Sequence, residues 1–115
     1  MPDSEDKSIP LSTAKDWTKN WRDVMDDGNW LSSHMKKAFL IPMETITNLQ
    51  NKVAKNIRVY FGVDKEESDP GKQLKLVIVG VDADGKDMLD ESQGEKTYDF
   101  ARPCPPLCDD DSDLN

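Results

Sequence analysis

The stretch Ile57-Arg58-Val59-Tyr60-Phe61-Gly62-Val63-Asp64 and, after a polar loop, Leu74-Lys75-Leu76-Val77-Ile78-Val79-Gly80-Val81-Asp82 decide the fold. β-branched and aromatic residues dominate both, and turn formers bound both, which is the signature of strands. In the first, Ile57, Val59, Phe61 and Val63 alternate with Arg58, Tyr60 and Gly62, so the pattern predicts one covered face and one wetter face. The second is apolar on both faces and reads as the central, most buried strand. Asp82-Ala83-Asp84-Gly85-Lys86 follows with Asp-Gly at its tip, and Asp87-Met88-Leu89 returns as a short strand, making an antiparallel hairpin.

Upstream, a first helix should begin near Ser12 or Thr13, either of which can cap free amides. Ala14, Trp17, Trp21 and Val24 give it an apolar stripe, and Gly28 in Asp26-Asp27-Gly28 suits a left-handed stop. Two tryptophans one turn apart read first as a packing device. Asn29 to His34 adds a further helical turn. Lys37 to Ile41 reads as a short buried strand stopped by Pro42, which opens a second helix with Met43, Ile46, Leu49 and Val53 as its stripe. Thr97 to Phe100 adds an edge strand. Arg102 to Cys108, rich in proline, reads as a polyproline-like segment laid over the surface.

These elements predict an α+β fold: a mainly antiparallel sheet of four or five strands with two amphipathic helices on one face. The chain divides into a disordered lead over 1–10, a single domain over 11–108 and an acidic tail over 109–115. Of the formal charge of −8, Met1 to Ser8 holds three acids against one lysine, or −2, and the tail holds four aspartates, or −4. Only −2 remains for the body, and no basic stripe exists to displace phosphate counterions, so nucleic acid is disfavoured. No run of about 18 apolar residues suits a membrane span, and the acidic start does not read as a secretion signal. The cytoplasm is the default, and two cysteines there read as thiols.

Lys37-Ala38-Phe39-Leu40-Ile41-Pro42, Val79-Gly80-Val81-Asp82 and Tyr98-Asp99-Phe100 leading into Pro103-Cys104-Pro105-Pro106-Leu107-Cys108 resemble a group of short uncharacterised bacterial proteins. The likeness runs from Leu11 onward. It implies a small bacterial single-domain protein and brings no activity, cofactor or catalytic residue with it.

Three groups of residues invite a chemical reading. Asp82, Asp84, Gly85 and Glu91 match parts of a calcium loop, with Gly85 at the glycine position and Glu91 at the bidentate one. The first ligand position falls on Gly80, which has no side-chain oxygen, so a hairpin turn is the stronger reading. Arg58, Tyr60 and Lys75 share one sheet face and suit either gripping an anion or partner, or simply facing solvent. Cys104 and Cys108 span about 12 Å along a polyproline path. A disulfide needs its Cα atoms within about 7 Å, so bridging requires a turn or a cis proline. Unbridged thiols are favoured; metal or redox use would need partners that a lone His34 does not supply. No cofactor is indicated, nor any nucleophile elbow or phosphate-cradling loop.

Three functions follow as expectations. The first is a small cytoplasmic protein-interaction or regulatory module (adaptor, inhibitor or immunity-type) with an unidentified protein partner. The second is a small-anion-binding protein or enzyme using Arg58, Tyr60 and Lys75. The third is a structural module binding calcium weakly between Asp82 and Glu91.

Overall fold

The computed structural model describes residues 8–99, 102–104 and 109–114. In chain order its elements are β1 (Ser8–Ile9), α1 (Leu11–Val24), α2 (Gly28–His34), β2 (Ala38–Leu40), α3 (Met43–Asn51), β3 (Asn56–Val63), β4 (Leu74–Val81), β5 (Thr97–Tyr98) and β6 (Arg102–Cys104). The main sheet is antiparallel with order β1-β5-β4-β3, and β2 pairs with β6 in a separate ribbon. The α+β, mainly antiparallel expectation holds.

β4 is the buried spine, with every residue from Leu74 to Val81 buried except Lys75. Leu76 and Ile78 pack with Leu49 of α3 and Tyr98 of β5. On the other side, Val77 and Val79 pack with Ala14 of α1. The helices therefore lie on opposite faces of the sheet rather than on one. The reason is in β4 itself, because a strand apolar on both faces needs cover on both.

Two glycines set how closely the layers approach. A Cβ at Gly62 would lie 2.9 Å from Trp17 Cβ of α1, and one at Gly80 would lie 2.9 Å from Ala54 Cβ, beside α3. Both distances are below contact, so each glycine admits backbone that a side chain would hold off.

Other details depart from the sequence reading. Ser8 and Ile9, expected in a disordered lead, form β1 against β5, which is therefore internal and not an edge. Helix α1 starts at Leu11 without a side-chain cap from Ser12 or Thr13. The Leu11 amide instead donates to Glu91 Oε2 at 3.1 Å, an anion placed at the positive end of the helix dipole. Gly28 is not a left-handed stop: Asp27 Oδ1 accepts from the amides of Asn29 and Trp30, and Gly28 opens α2.

In α3 the buried residues are Thr45 and Leu49, while Met43 is exposed and Val53 lies past the helix end at a left-handed φ of 58°. The Lys37–Ile41 segment contributes β2, whose partner is β6, and its Ala38 and Leu40 are exposed rather than buried. The return strand after the Asp-Gly turn shrinks to a single bridge, Val81 to Asp87. The polyproline expectation for 102–108 gives way to strand pairing over Arg102–Cys104, and its remainder lies outside the described residues. Asp109 to Leu114 carries a turn, with the Ser112 amide donating to the Asp109 carbonyl.

Candidate functional site

Arg58 and Tyr60 project from β3 on the same side of the sheet as Lys75, which pairs through Gly62 in the register. They do not converge on open space. The Arg58 guanidinium donates to one oxygen of the Asp87 carboxylate, and the Tyr60 hydroxyl donates to the other. Asp87 is the residue that sequence reasoning missed; it was read only as the start of the short return strand. The single bridge to Val81 holds it beside β3, and its side chain is only 17% exposed. The hydrogen bond to Asp87 raises the Arg58 pKa, and the same carboxylate, by accepting a hydrogen bond from the phenol, raises that of Tyr60. Lys75 sits apart, its ammonium 5.6 Å from the centre of the Trp17 ring, a cation–π placement. The two groups best able to grip an anion are thus already engaged with each other through Asp87.

Tyr60 and Asp87 also border a cavity of about 190 Å³ between α1 and the sheet, where Lys15, Thr18 and Thr97 join apolar groups such as Ala14, Val77, Val79 and Leu89. A second, more polar cleft of about 380 Å³ lies between α3 and the Gly94–Lys96 segment.

The calcium-loop residues separate in space. Asp82 Oδ1 accepts from the amides of Asp84 and Lys86 at 2.9 and 3.0 Å, and Gly85 takes a φ of 81°, which is turn geometry. Glu91 is turned to the start of α1. Among the described residues no group of three or more His, Cys, Asp or Glu is placed to hold a metal ion. His34 stacks on Trp30 with ring centres 4.1 Å apart, and its Nδ1 donates to the Trp30 carbonyl at 2.8 Å. Cys104 is disulfide-bonded, which overturns the expectation of two thiols. The chain has one other cysteine, Cys108, outside the described residues.

The surface that stands out is β3 itself. Its six residues from Asn56 to Phe61 are all exposed, with Ile57, Val59 and Phe61 each 42% accessible. α3 covers Leu76 and Ile78 on β4 but not the apolar row beside them. The alternation in β3 was read correctly, but its apolar side, expected to be covered, is exposed. Only Gly62 and Val63 are buried, under α1. There the Asn20 side-chain amide donates to the Val63 carbonyl at 2.8 Å. Trp21 meets Phe61 with ring centres 4.8 Å apart and Trp30 edge-on at 6.4 Å, extending the aromatic surface onto α2.

No protein-family model matches the chain, and neither a curated protein nor a solved structure is similar to it. Among the described residues no helix is long and apolar enough to cross a membrane.

Proposed function

We propose that this chain is a small protein-interaction module whose working surface is β3. One observation carries the reading: a long strand at the sheet's edge presents Ile57, Val59, Tyr60 and Phe61 to solvent. Edge strands are ordinarily blunted by charge, proline, a bulge or brevity. β3 is eight residues long and regularly paired with β4, and its one charged side chain, Arg58, is bent onto Asp87. A surface kept in that state suits occupation by another chain.

The anion-binding or enzymatic alternative is weaker, because Arg58 and Tyr60 are tied to Asp87. The calcium alternative is weaker still, since Glu91 serves α1. Unbridged thiols were what cytoplasmic residence led us to expect, and a bonded Cys104 weighs against that residence, since structural disulfides persist chiefly in oxidising compartments.

The test is chemical cross-linking in the source cells, comparing the tagged chain with its Val59→Lys variant after both are shown to melt alike. A partner recovered with the native chain and lost with the variant is the expected result. Equal recovery by both, or recovery of nothing, rejects β3 as the working surface.

A further inference from the structure

Leu11, Ala14, Lys15 and Thr18 recur on α1 at spacings of three and four, so they share one face of the helix. That face borders the cavity of about 190 Å³ over Val77 and Val79 of β4. The gap has a cause in the sequence. Beside Gly62, Trp17 brings the helix against the sheet, while Ala14 and Thr18 carry short side chains that leave space above β4. Ala14, Val77 and Val79 are 4%, 2% and 1% exposed and form the floor, and half-buried Leu11, Thr18 and Leu89 form the rim.

Size and polarity narrow what can enter. A cavity of about 150 Å³ takes benzene, and pockets for drug-sized ligands begin at about 300 Å³, so this space suits one ring with one small substituent. The hydroxyl hydrogens of the lining are already given to protein oxygens. Thr18 donates to the Ala14 carbonyl, Thr97 to the Ile9 carbonyl and Tyr60 to Asp87. The Asp87 carboxylate accepts from Arg58 and Tyr60, whereas a carboxylate has about four accepting positions, and its side chain is 17% exposed. Apart from the exposed Lys15 ammonium, the lining side chains therefore offer acceptors rather than donors. Among the described residues, the charged groups that line the cavity or bond to its lining are Lys15, Arg58, Asp87 and Glu91, two of each sign. A charged ligand would give up its water for a site whose charges already balance, which is costly.

We propose that this cavity binds a small uncharged ring molecule with one O–H donor, of the phenol or cyclic-alcohol class. The ring lies on Ala14, Val77 and Val79 between Leu11 and Leu89, and its hydroxyl donates to an open position on the Asp87 carboxylate. Arg58 balances the charge of that carboxylate and Tyr60 fixes its second oxygen, so the ligand meets a strong acceptor that it does not have to neutralise. The site is separate from the exposed row of β3. Ile57, Val59 and Phe61 stand in register with Gly80, Ile78 and Leu76 on the α3 face of the sheet, whereas the cavity lies on the α1 face. Either reading can fail without the other.

Phenol itself is the probe, titrated to millimolar concentrations into the full chain carrying ¹³C-labelled methyl groups. The methyl signals of Ala14, Val77, Val79 and Leu89 should shift together along one saturating curve. Anisole, in which a methyl replaces the donated hydrogen, should bind at least about fivefold more weakly, the loss of roughly one hydrogen bond. Benzoate and benzylammonium, charged and of similar size, should each bind more weakly than phenol. Ala14→Leu fills the floor and should abolish the shifts at Val77, Val79 and Leu89. Thr18→Leu narrows the rim and is the second variant, should the buried change disturb the fold. In a chain carrying Tyr60→Phe and Asp87→Leu together, the phenol and anisole curves should coincide.

Phenol shifts absent from these four methyls, or confined to others, overturn the proposal. So does anisole binding as tightly as phenol, which would make the cavity a plain apolar recess. Tighter binding of benzoate or benzylammonium overturns it too, by assigning the site to a charged ligand. Phenol binding at native strength to both Ala14→Leu and Thr18→Leu would place the ligand elsewhere, and a phenol preference that survives the loss of Tyr60 and Asp87 would remove the carboxylate from the site. If the doubly substituted chain does not fold, the comparison of phenol with anisole on the native chain decides alone.

Discussion

Replacing Gly62 with alanine should lift α1 from the sheet. The new Cβ would meet Trp17 Cβ at 2.9 Å and Val77 Cγ2 at 3.3 Å, with the Trp17 backbone carbon at 3.5 Å. Rotating the indole gives no relief, because Cβ is fixed to the helix backbone, so the whole helix must yield by several tenths of an ångström. Overpacking of this kind costs about 1–3 kcal/mol. Alanine recovers roughly 0.5–1 kcal/mol through a less flexible unfolded chain. The net is a loss of about 1–2 kcal/mol, or roughly 4–8 °C in Tm for a domain of this size. Urea unfolding followed by tryptophan fluorescence measures it. Gly28→Ala is the matched control, since nothing lies within 4 Å of its added carbon, and it should be neutral or stabilising by up to about 0.5 kcal/mol. In a Trp17→Gly background the Gly62→Ala loss should largely vanish. A Gly62→Ala chain as stable as the native one would show that α1 does not sit this close, and that the layered packing is wrong.

Val53→Gly should stabilise by about 0.5–1 kcal/mol, because glycine relieves a β-branched residue at φ 58° that is 76% exposed and follows a helix end; thermal melting reads it. Ile78→Ala should cost about 2–5 kcal/mol as a truncation in the fully buried centre of β4, measured by urea midpoint. Gly85→Ala should cost roughly 1 kcal/mol or more, Asp84→Asn almost nothing, and millimolar calcium should leave both melting curves unmoved. Stability should be steady up to about pH 10, the ordinary phenol value, and fall above it. The raised pKa of Tyr60 means that folding holds its proton, so this contribution is complete below the unfolded pKa and lost as pH rises through the folded one. Tyr60→Phe should make the alkaline fall shallower, as urea midpoints between pH 8 and 11 will show.

How far the sequence reached depended on whether a signal was local. β4 was legible because eight residues in a row, apolar on both faces, have few alternatives to a buried strand. The same two-sidedness should have placed a helix on each face, yet the expectation put both on one. Alternation in β3 marked its apolar side but carried no information about whether anything covers it. That depends on where α3 lies, and α3 settles on Leu76 and Ile78 instead. Asp87 could not be singled out, since its role comes from a turn that returns it to Arg58 and Tyr60. β1 is too short to show a period, and β2 finds β6 across 66 positions, from Ala38 to Cys104. Capping misled at α1 because Ser12 and Thr13 were judged against neighbours, while the cap that prevails belongs to Glu91.

That cap has a bearing on how the chain reaches its shape. Glu91 holds the α1 amide across 80 positions, and the Thr97 hydroxyl donates to the Ile9 carbonyl across 88. The beginning of the chain is therefore completed by its final quarter. On a ribosome adding about 5–20 residues each second, Ile9 waits roughly 4–18 s for Thr97 to be made. Throughout that interval α1 has an unanswered amide, and until β3 and β4 are made its Ala14, Trp17 and Trp21 have no sheet to cover. Assembly in this order is slow in proportion to the span it must close. A nascent chain stalled before Asn56, with neither β3 nor β4 made, presents the two tryptophans of α1 to whatever holdase is nearby.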